Sequence, residues 1–393
     1  MNLPAGSKSM GLELPEPDAV AVEHSNRLAE KIISRIQHGN GVIGFDEYMQ
    51  SILYEAGLGY YSAGSTKFGA AGDFVTAPEI SALFGRCLAA QCASLFGQGC
   101  AARLLEFGAG SGRLCAHILQ SAAQIENYYI LDVSAELKAR QRQYLEQQLP
   151  AELFHKIEWL TDLPKAFDGI LLANEVLDAM PVHILLKQGR WSELGVGYDG
   201  ERFDWRAFAC DSPAVAAIEH IESRLGDLAE GYRSEVNLNY QPWLAALSQS
   251  CNRVVVLIID YGYEQAQYYH PQRTSGSLTC HYQHRVHADP LVYPGLQDVT
   301  AFVDFDALAD AAENNDFAIV GLVSQAEFLL ANGLLEIAQK QVENTDSAEQ
   351  VAISQQVKTL TLPAQMGEKF KVLALQKNIE LAMPAMRRGV RLG

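Results

Sequence analysis

Apolar residues recur at helical spacing over roughly the first hundred positions and then give way to short continuous runs. Leu28, Ile32, Ile33 and Ile36 fall on one face of a helix, as do Tyr48, Ile52 and Leu53. A polar, glycine-containing stretch comes next, with Gly57-Leu58-Gly59-Tyr60-Tyr61 and then Lys67 to Pro78, and it predicts a loop. Helical spacing resumes from Glu79 to Phe96. Thr76 is placed to cap that helix, Pro78 suits its first turn, and Glu79 favours the positive end of its dipole.

From Arg103 the pattern alternates between buried strands and helices. Strands are predicted at 103–107, 128–132, 156–160, 168–173 and 253–260, with helices after the first two. That alternation predicts a parallel sheet covered on both faces. A helix at 305–314, a strand at 317–323, a helix at 325–332 and a strand at 369–376 complete seven strands, the last two forming an edge pair. Two stretches exceed this plan. Residues 182–252 carry a meander (Trp191, Val196, Tyr198, Phe203, Trp205) followed by helical stretches, and 262–302 reads as a long polar loop. The segment 342–357 is polar enough to predict mobility.

Ligands of such sheets sit at the carboxyl ends of the strands, where this chain concentrates its acids and its glycines: Gly108, Asp132, Asp162, Asn174 with Glu175, and Asp260. The run Leu104-Leu105-Glu106-Phe107-Gly108-Ala109-Gly110-Ser111-Gly112-Arg113 reads as strand, glycine turn and helix start. Glycines there let the backbone fold tightly and approach a ligand that a Cβ would obstruct. A dinucleotide fingerprint needs its third glycine where Arg113 stands. Glu106 would face a pyrophosphate badly, whereas S-adenosylmethionine brings a sulfonium, an ammonium and one carboxylate, and suits an acidic strand end better. A plain strand-to-helix connection has the same appearance, so the second strand matters. It ends at Asp132, about two dozen residues after Gly108, near the spacing at which a carboxylate takes ribose hydroxyls. Capping of the following helix is the competing role for Asp132, and the two can coexist.

Composition sets outer bounds. The 393 residues are 48% hydrophobic, enough for one large elaborated domain or two smaller ones. A net charge of −17 without clustered lysine and arginine argues against a nucleic-acid partner. Seven cysteines, at 87, 92, 100, 115, 210, 251 and 280, form no C-x-x-C pair and suit a reducing compartment. Pro4, Pro15 and Pro17 with three acids and one lysine in the first twenty residues make neither a secretory nor a transit signal, and no apolar run approaches a membrane span. The expected location is the cytoplasm.

Eight blocks carry a family resemblance: Gly72 to Ser81 (GDFVTAPEIS), Glu106 to Gly112 (EFGAGSG), Asp132 to Ser134 (DVS), Ala173 to Pro181 (ANEVLDAMP), Ile259 to Gly262 (IDYG), Gly276 to His287 (GSLTCHYQHRVH), Pro294 to Phe305 (PGLQDVTAFVDF) and Gln365 to Leu373 (QMGEKFKVL). Together they span about residues 40 to 376, and the chain resembles the MidA family of class I methyltransferases. The mitochondrial member of that family is a protein arginine methyltransferase required for respiratory complex I assembly. The resemblance implies a Rossmann-like seven-stranded α/β sheet with an N-terminal helical region and inserted elements between strands 4 and 5 and after strand 5. It divides the chain into an N-terminal helical region at 1–100 with an active-site loop at 67–80, a methyltransferase domain at 101–378, and a tail at 379–393. The family's usual glutamate and proline after the second strand are Asp132 and Ala135 here, which keeps a carboxylate for the ribose. Phe302 stands where the family often has a polar residue, so it is a poor catalytic choice.

S-adenosyl-L-methionine is thus the expected cofactor, with Thr76, Glu106, Gly108, Ala109, Gly110, Ser111, Gly112, Asp132, Val133 and Asn174 as its binding residues. Methyl transfer from a sulfonium is an in-line displacement that asks mainly for alignment and exclusion of water. An arginine acceptor stays protonated, so carboxylates must grip and orient it. Glu175 and Asp178 lie three apart after the fourth strand, and a helical turn there would put both on one face as a clamp. They are the expected catalytic pair; capping or surface ion pairing is the plainer role. The asparagine-proline-proline-aromatic motif of many amino methyltransferases is absent at this place, which disfavours a nucleic-acid amine. Asp73, Glu79, Tyr261, His281 and His284 are expected to contact substrate, Tyr261 having a core role as its alternative. Cys280, His281, His284 and His287 lack the spacing of a zinc site, and no metal is expected. The expected partner is a protein substrate, such as a respiratory-complex subunit. A dinucleotide-dependent oxidoreductase, a cofactor-binding assembly factor and a methyltransferase on a non-arginine acceptor are the alternatives.

Overall fold

Short runs without alternation become central strands because both of their faces are covered. In the computed structural model, which describes residues 14–63, 76–343 and 345–386, these strands are β1 (Arg103–Phe107), β2 (Asn127–Leu131), β3 (Ile157–Leu160), β4 (Phe167–Asn174) and β5 (Cys251–Tyr263). With β6 (Ala318–Ser324) and β7 (Phe370–Lys377) they form one sheet in the order β6-β7-β5-β4-β1-β2-β3. Strands β1 to β5 run parallel, and β7 is antiparallel to both β5 and β6. The short pair Val303–Asp304 adds to the end of β5. The strand order reverses between β1 and β4, which opens a crevice at their carboxyl ends. Phe107 pairs with Ala173, so the glycine turn after β1 stands beside Asn174.

Two apolar layers cover the sheet. One contains α4 (Ala82–Gly97), α5 (Arg113–Ser121) and the helices Gln325–Ala331, Leu334–Val342 and Ser347–Thr361, with Leu83, Leu114, Ile118, Phe328, Leu334 and Leu360 in its core. The other is built from the helices Tyr240–Ser250 and Phe305–Glu313, through Tyr240, Leu244, Leu247, Phe305 and Leu308. A third core joins α1 (Ala19–His38) and α2 (Phe45–Tyr54) to an antiparallel sheet of His183–Gln188, Arg190–Tyr198, Phe203–Ala209, Arg233–Val236 and Ile43–Gly44. Leu28, Ile32 and Ile36 face this core, and Asp18 starts α1 by accepting from the Ala21 N–H at 2.8 Å.

Four expectations need correction. The helix expected over 79–96 is two helices, α3 (Ala77–Ile80) and α4, because Ser81 takes an extended conformation and its hydroxyl accepts from the Leu83 N–H. The expected polar loop 262–302 contains a short helix, Gln265–Tyr268, and a three-stranded sheet of Thr279–Tyr282, Arg285–His287 and Asp298–Thr300. Its apolar residues Leu278, Cys280, Val299 and Ala301 are too widely spaced to read as a strand pattern, yet they bury against Ile52 and Leu53 of α2. The segment 342–357 is largely helical, since Asp346 caps the Ser347–Thr361 helix and Ile353 and Leu360 are buried. Finally, Tyr240–Ser250 at the end of the stretch 182–252 belongs to the main sheet as the crossover into β5. Among the described residues no helix is long and apolar enough to cross a membrane.

Candidate active site

The turn after β1 uses left-handed backbone at each of its glycines: φ is 59° at Gly108, 54° at Gly110 and 87° at Gly112. The Gly108 N–H donates to the Leu131 carbonyl at 3.0 Å, which ties the turn to the end of β2. A Cβ on Gly112 would stand 3.3 Å from Leu145, whereas one on Gly110 would project into open space. Ala109 turns its methyl into the core. Asp132 comes directly after β2, with Oδ1 accepting from the Ser134 N–H at 3.1 Å and Oδ2 from Gln141 Nε2 at 2.9 Å. Gln141, fully buried in α6 (Ala135–Gln148), also donates to the Gly110 carbonyl at 3.1 Å and accepts from Trp159 Nε1 at 3.1 Å. Val133 is 77% exposed, an apolar side chain facing solvent right after the acid. Open space over Gly110, a fixed carboxylate at Asp132 and an apolar face at Val133 fit an adenosyl group, whose ribose needs acceptors and whose base needs an apolar contact.

Glu106 lies beneath this turn. It is buried, accepts from the Tyr128 hydroxyl at 2.7 Å, and has its carboxyl pushed up to about 7, by burial first and by Asp132 in addition. Thr76 stands at the N-cap position of α3, but its hydroxyl makes no capping bond. Glu79, expected at the substrate, is engaged with the glycine turn: it accepts from the Ser111 hydroxyl and pairs with Arg113 Nε at 2.8 Å. Asp73 lies outside the described residues.

The chain after β4 is a bend and turn, which corrects the helical turn expected at Asn174 to Asp178. Glu175 adopts φ 52°, and its N–H bonds the Ile259 carbonyl at 2.9 Å. Asp260, fully buried at the end of β5, shapes this turn by accepting from the N–H groups of Leu177 at 3.0 Å and Asp178 at 3.2 Å. Glu175 and Asp178 still come together. Burial and the neighbouring Asp178 push the Glu175 carboxyl up to about 8, against the opposing bonds of Asn174 and the Ala77 N–H. Burial raises Asp178 to about 6, although the Tyr261 hydroxyl donates to its Oδ2 at 2.7 Å. Among the described residues, Asp178 Oδ1 and Asn174 Oδ1 are buried without a hydrogen-bond partner. Among the described residues, no lysine or arginine pairs with Glu175, Asp178 or Asp260.

Tyr261 packs as its core alternative expects, its ring edge-on to Phe302 and Phe370 at 5.1 and 5.4 Å, while its hydroxyl donates to Asp178 Oδ2. His281 is buried and lies directly across the sheet register from Asp298. Burial and the nearby His287 lower its pKa. His284 occupies the exposed hairpin tip with φ 61°. Sequence reasoning missed Gln141, Asp298, Tyr54 and Tyr61. Tyr61 donates to Asp298 Oδ1 at 2.8 Å, and Tyr54 donates to the Ala179 carbonyl at 3.0 Å. The pair Tyr60-Tyr61 in a glycine-rich turn and the acid inside PGLQDVTAFVDF were the signals available. Asp46, His183 and Glu193 also cluster, but His183 Nδ1 and Glu193 Oε1 are 2.6 Å apart. That is a hydrogen bond, closer than two ligands of one tetrahedral ion, about 3.3 Å apart, would stand.

A doubly wound sheet with a glycine turn after its first strand and an acid after its second frames a site for an adenosine-containing cofactor, and Arg113 in place of a dinucleotide fingerprint's third glycine points to the class of S-adenosyl-L-methionine-dependent methyltransferases. Comparison with known proteins agrees. Residues 87–323 match the family described as "Putative S-adenosyl-L-methionine-dependent methyltransferase". The chain belongs to this MidA-like methyltransferase family, and its cofactor is S-adenosyl-L-methionine. A crystal structure from Burkholderia thailandensis, bound to S-adenosyl-homocysteine, is 39% identical with a TM-score of 0.88, over 96% of this chain and 98% of that one. The mouse protein named protein arginine methyltransferase NDUFAF7, mitochondrial, is 31% identical over 85% of this chain and 81% of its own length. Its Drosophila melanogaster homologue is 30% identical over 92% and 88%.

Proposed function

We propose that this enzyme transfers a methyl group to the guanidinium of an arginine in a protein. The observation that carries the reading is the set of carboxylates, half-buried Glu175 with buried Asp178 and Asp260, grouped at the strand ends beside the glycine turn and without a lysine or arginine partner among the described residues. Buried like charges repel one another and raise each other's pKa, so such a group favours a cationic occupant. Arginine brings a permanent charge and several N–H donors, and Asp178 Oδ1, which makes no hydrogen bond among the described residues, can accept from one.

In this reading the turn from Gly108 to Gly112, with Asp132, Val133, Asn174 and Thr76, holds the cofactor. When bound, S-adenosylmethionine supplies an electrophilic methyl on a sulfonium. Glu175 and Asp178 orient one guanidinium nitrogen, and Tyr261 fixes Asp178 for that task. The nitrogen gains the methyl and gives up one proton. Glu175, with a carboxyl at about 8 while no cation is bound, gives up its proton to solvent as the guanidinium enters and then receives the one released by the nitrogen. Names borne by relatives such as the mouse protein support arginine as acceptor, and a protein with an accessible arginine is the partner we infer. The cysteines are free thiols, which suits a reducing compartment.

The test is incubation of the purified protein with labelled S-adenosylmethionine and host lysate, followed by mass spectrometry of the labelled residue. Label on arginine, lost in Glu175→Gln, is the expected result. Label on lysine, on a carboxylate or on a small molecule would overturn the arginine reading. Full retention of the cellular role by Glu175→Gln would favour an assembly factor that needs no catalysis.

A further inference from the structure

The acid cluster has a second wall that the strand ends do not supply. Asp298 comes from the three-stranded sheet, is 8% exposed, and receives the Tyr61 hydroxyl at 2.8 Å. Tyr61 stacks on Tyr54 with ring centroids 5.6 Å apart and planes 27° from parallel, and Tyr60 meets it edge-on at 5.2 Å. Tyr54 is itself anchored on the Ala179 carbonyl, one residue beyond Asp178. The small sheet's segment is also tied to the turn after β4, since the Ala301 N–H donates to the Asp178 carbonyl at 2.9 Å, and Asp178 and Asp298 both stand near enough to raise the phenols of Tyr54 and Tyr61. Asp132, on the cofactor side, acts on Tyr54 as well. The N-terminal region thus reaches the acids that the main sheet presents.

Resting on the arginine reading above, we propose that Asp298, held by Tyr61 and flanked by the stacked Tyr54, is a specificity-determining residue that makes the acceptor site select a planar guanidinium over an ammonium. Two features point to a flat ion. Carboxylates carried by separate elements, Asp178 on the turn after β4 and Asp298 on the small sheet, suit donors that diverge in one plane, as those of a guanidinium do. The Tyr54–Tyr61 pair stacks face to face beside these acids, and the outer face of such a pair is a surface on which a delocalised cation stacks. An ammonium is compact and strongly hydrated, with donors that do not lie in a plane, and it gains less from both. Tyr61 acts through Asp298, fixing the carboxylate so that little ordering remains when the ligand arrives.

The experiment titrates the whole protein, saturated with S-adenosyl-homocysteine, with ethylguanidinium and separately with ethylammonium, and reads binding by calorimetry or protein NMR. The wild type is expected to favour ethylguanidinium at least about tenfold. Asp298→Asn is expected to remove most of that preference while S-adenosyl-homocysteine affinity stays within about twofold. Tyr61→Phe keeps the ring stack, loses the hydroxyl, and is expected to fall between the two. Unchanged discrimination in both variants, with Glu175→Gln still abolishing guanidinium binding, overturns the role of Asp298 and leaves the arginine reading standing. Equal or stronger binding of ethylammonium by the wild type, or binding of neither ion, instead overturns the arginine reading. If Asp298→Asn fails to fold, Tyr61→Phe alone decides, because its preference must drop for the proposal to hold.

Discussion

Gln141 and Asp132 are joined by a hydrogen bond from Nε2 to Oδ2 at 2.9 Å, and the same amide reaches the Gly110 carbonyl at 3.1 Å. One buried side chain therefore sets the position of the acid relative to the glycine turn. Gln141→Ala is expected to weaken S-adenosyl-homocysteine binding about ten- to a hundredfold, since a hydrogen bond to a charged group contributes roughly 1.5–3 kcal/mol. Calorimetric titration checks this. Unaltered affinity would mean that Asp132 is positioned without Gln141.

Two glycines of the turn should respond differently to alanine. At Gly112 a Cβ meets Leu145 as well as the left-handed backbone, so Gly112→Ala should lower the thermal midpoint more. At Gly110 the Cβ enters open space and the backbone cost alone, about 1–2 kcal/mol, applies to stability. Its methyl should instead obstruct the cofactor, so Gly110→Ala is expected to lose more than about tenfold in S-adenosyl-homocysteine affinity. Thermal melts and titrations on both variants test the contrast, and identical profiles would count against it.

Glu175 gives a stability prediction with a definite sign. Its folded carboxyl, at about 8, lies above the ordinary value of 4.5. Between those pH values the unfolded chain releases this proton more readily than the folded one, so stability falls as pH rises through the window. Glu175→Gln removes that loss. The variant's thermal midpoint should match the wild type near pH 4 and exceed it by a growing margin up to pH 8. A constant margin, or one that shrinks with pH, would show that the carboxyl is not held protonated.

Tyr261→Phe keeps the ring between Phe302 and Phe370 and deletes the donor to Asp178. Because that hydroxyl lowers the Asp178 carboxyl, now at about 6, its loss should move the acidic limb of kcat/KM to higher pH. About a tenfold fall at pH 7 is expected, with less effect at pH 8.5. An unchanged profile would instead mean that Tyr261 works by packing alone.

The main sheet was legible because β1, β2, β4 and β5 are apolar runs ending in glycine or acid, and local pattern suffices for such strands. Glu175 and Asp178 were legible by position, while the helical turn assigned to them was not. What shapes that turn is Asp260, which bonds the Leu177 and Asp178 amides from more than eighty residues away. Asp298 and Tyr61 escaped for the same reason. Their contact joins segments more than two hundred residues apart, and neither segment has a periodicity of its own. Gln141 looked like one more polar residue on a surface helix, because burial of a single amide leaves no trace in the pattern.

The pairing of Ile43 with Val196 has a consequence for the order of events during synthesis. The N-terminal helices emerge early, yet their edge strand and much of their apolar face wait for a partner about 150 residues downstream. Until that partner is made, Ile43, Phe45 and Ile52 lack the cover they have in the finished protein. The nascent chain therefore exposes an adhesive surface for most of the time needed to make the cofactor-binding strands. Holdase chaperones should engage ribosome-bound chains that end near residue 150 and release those that extend well past 200, which selective ribosome profiling can read.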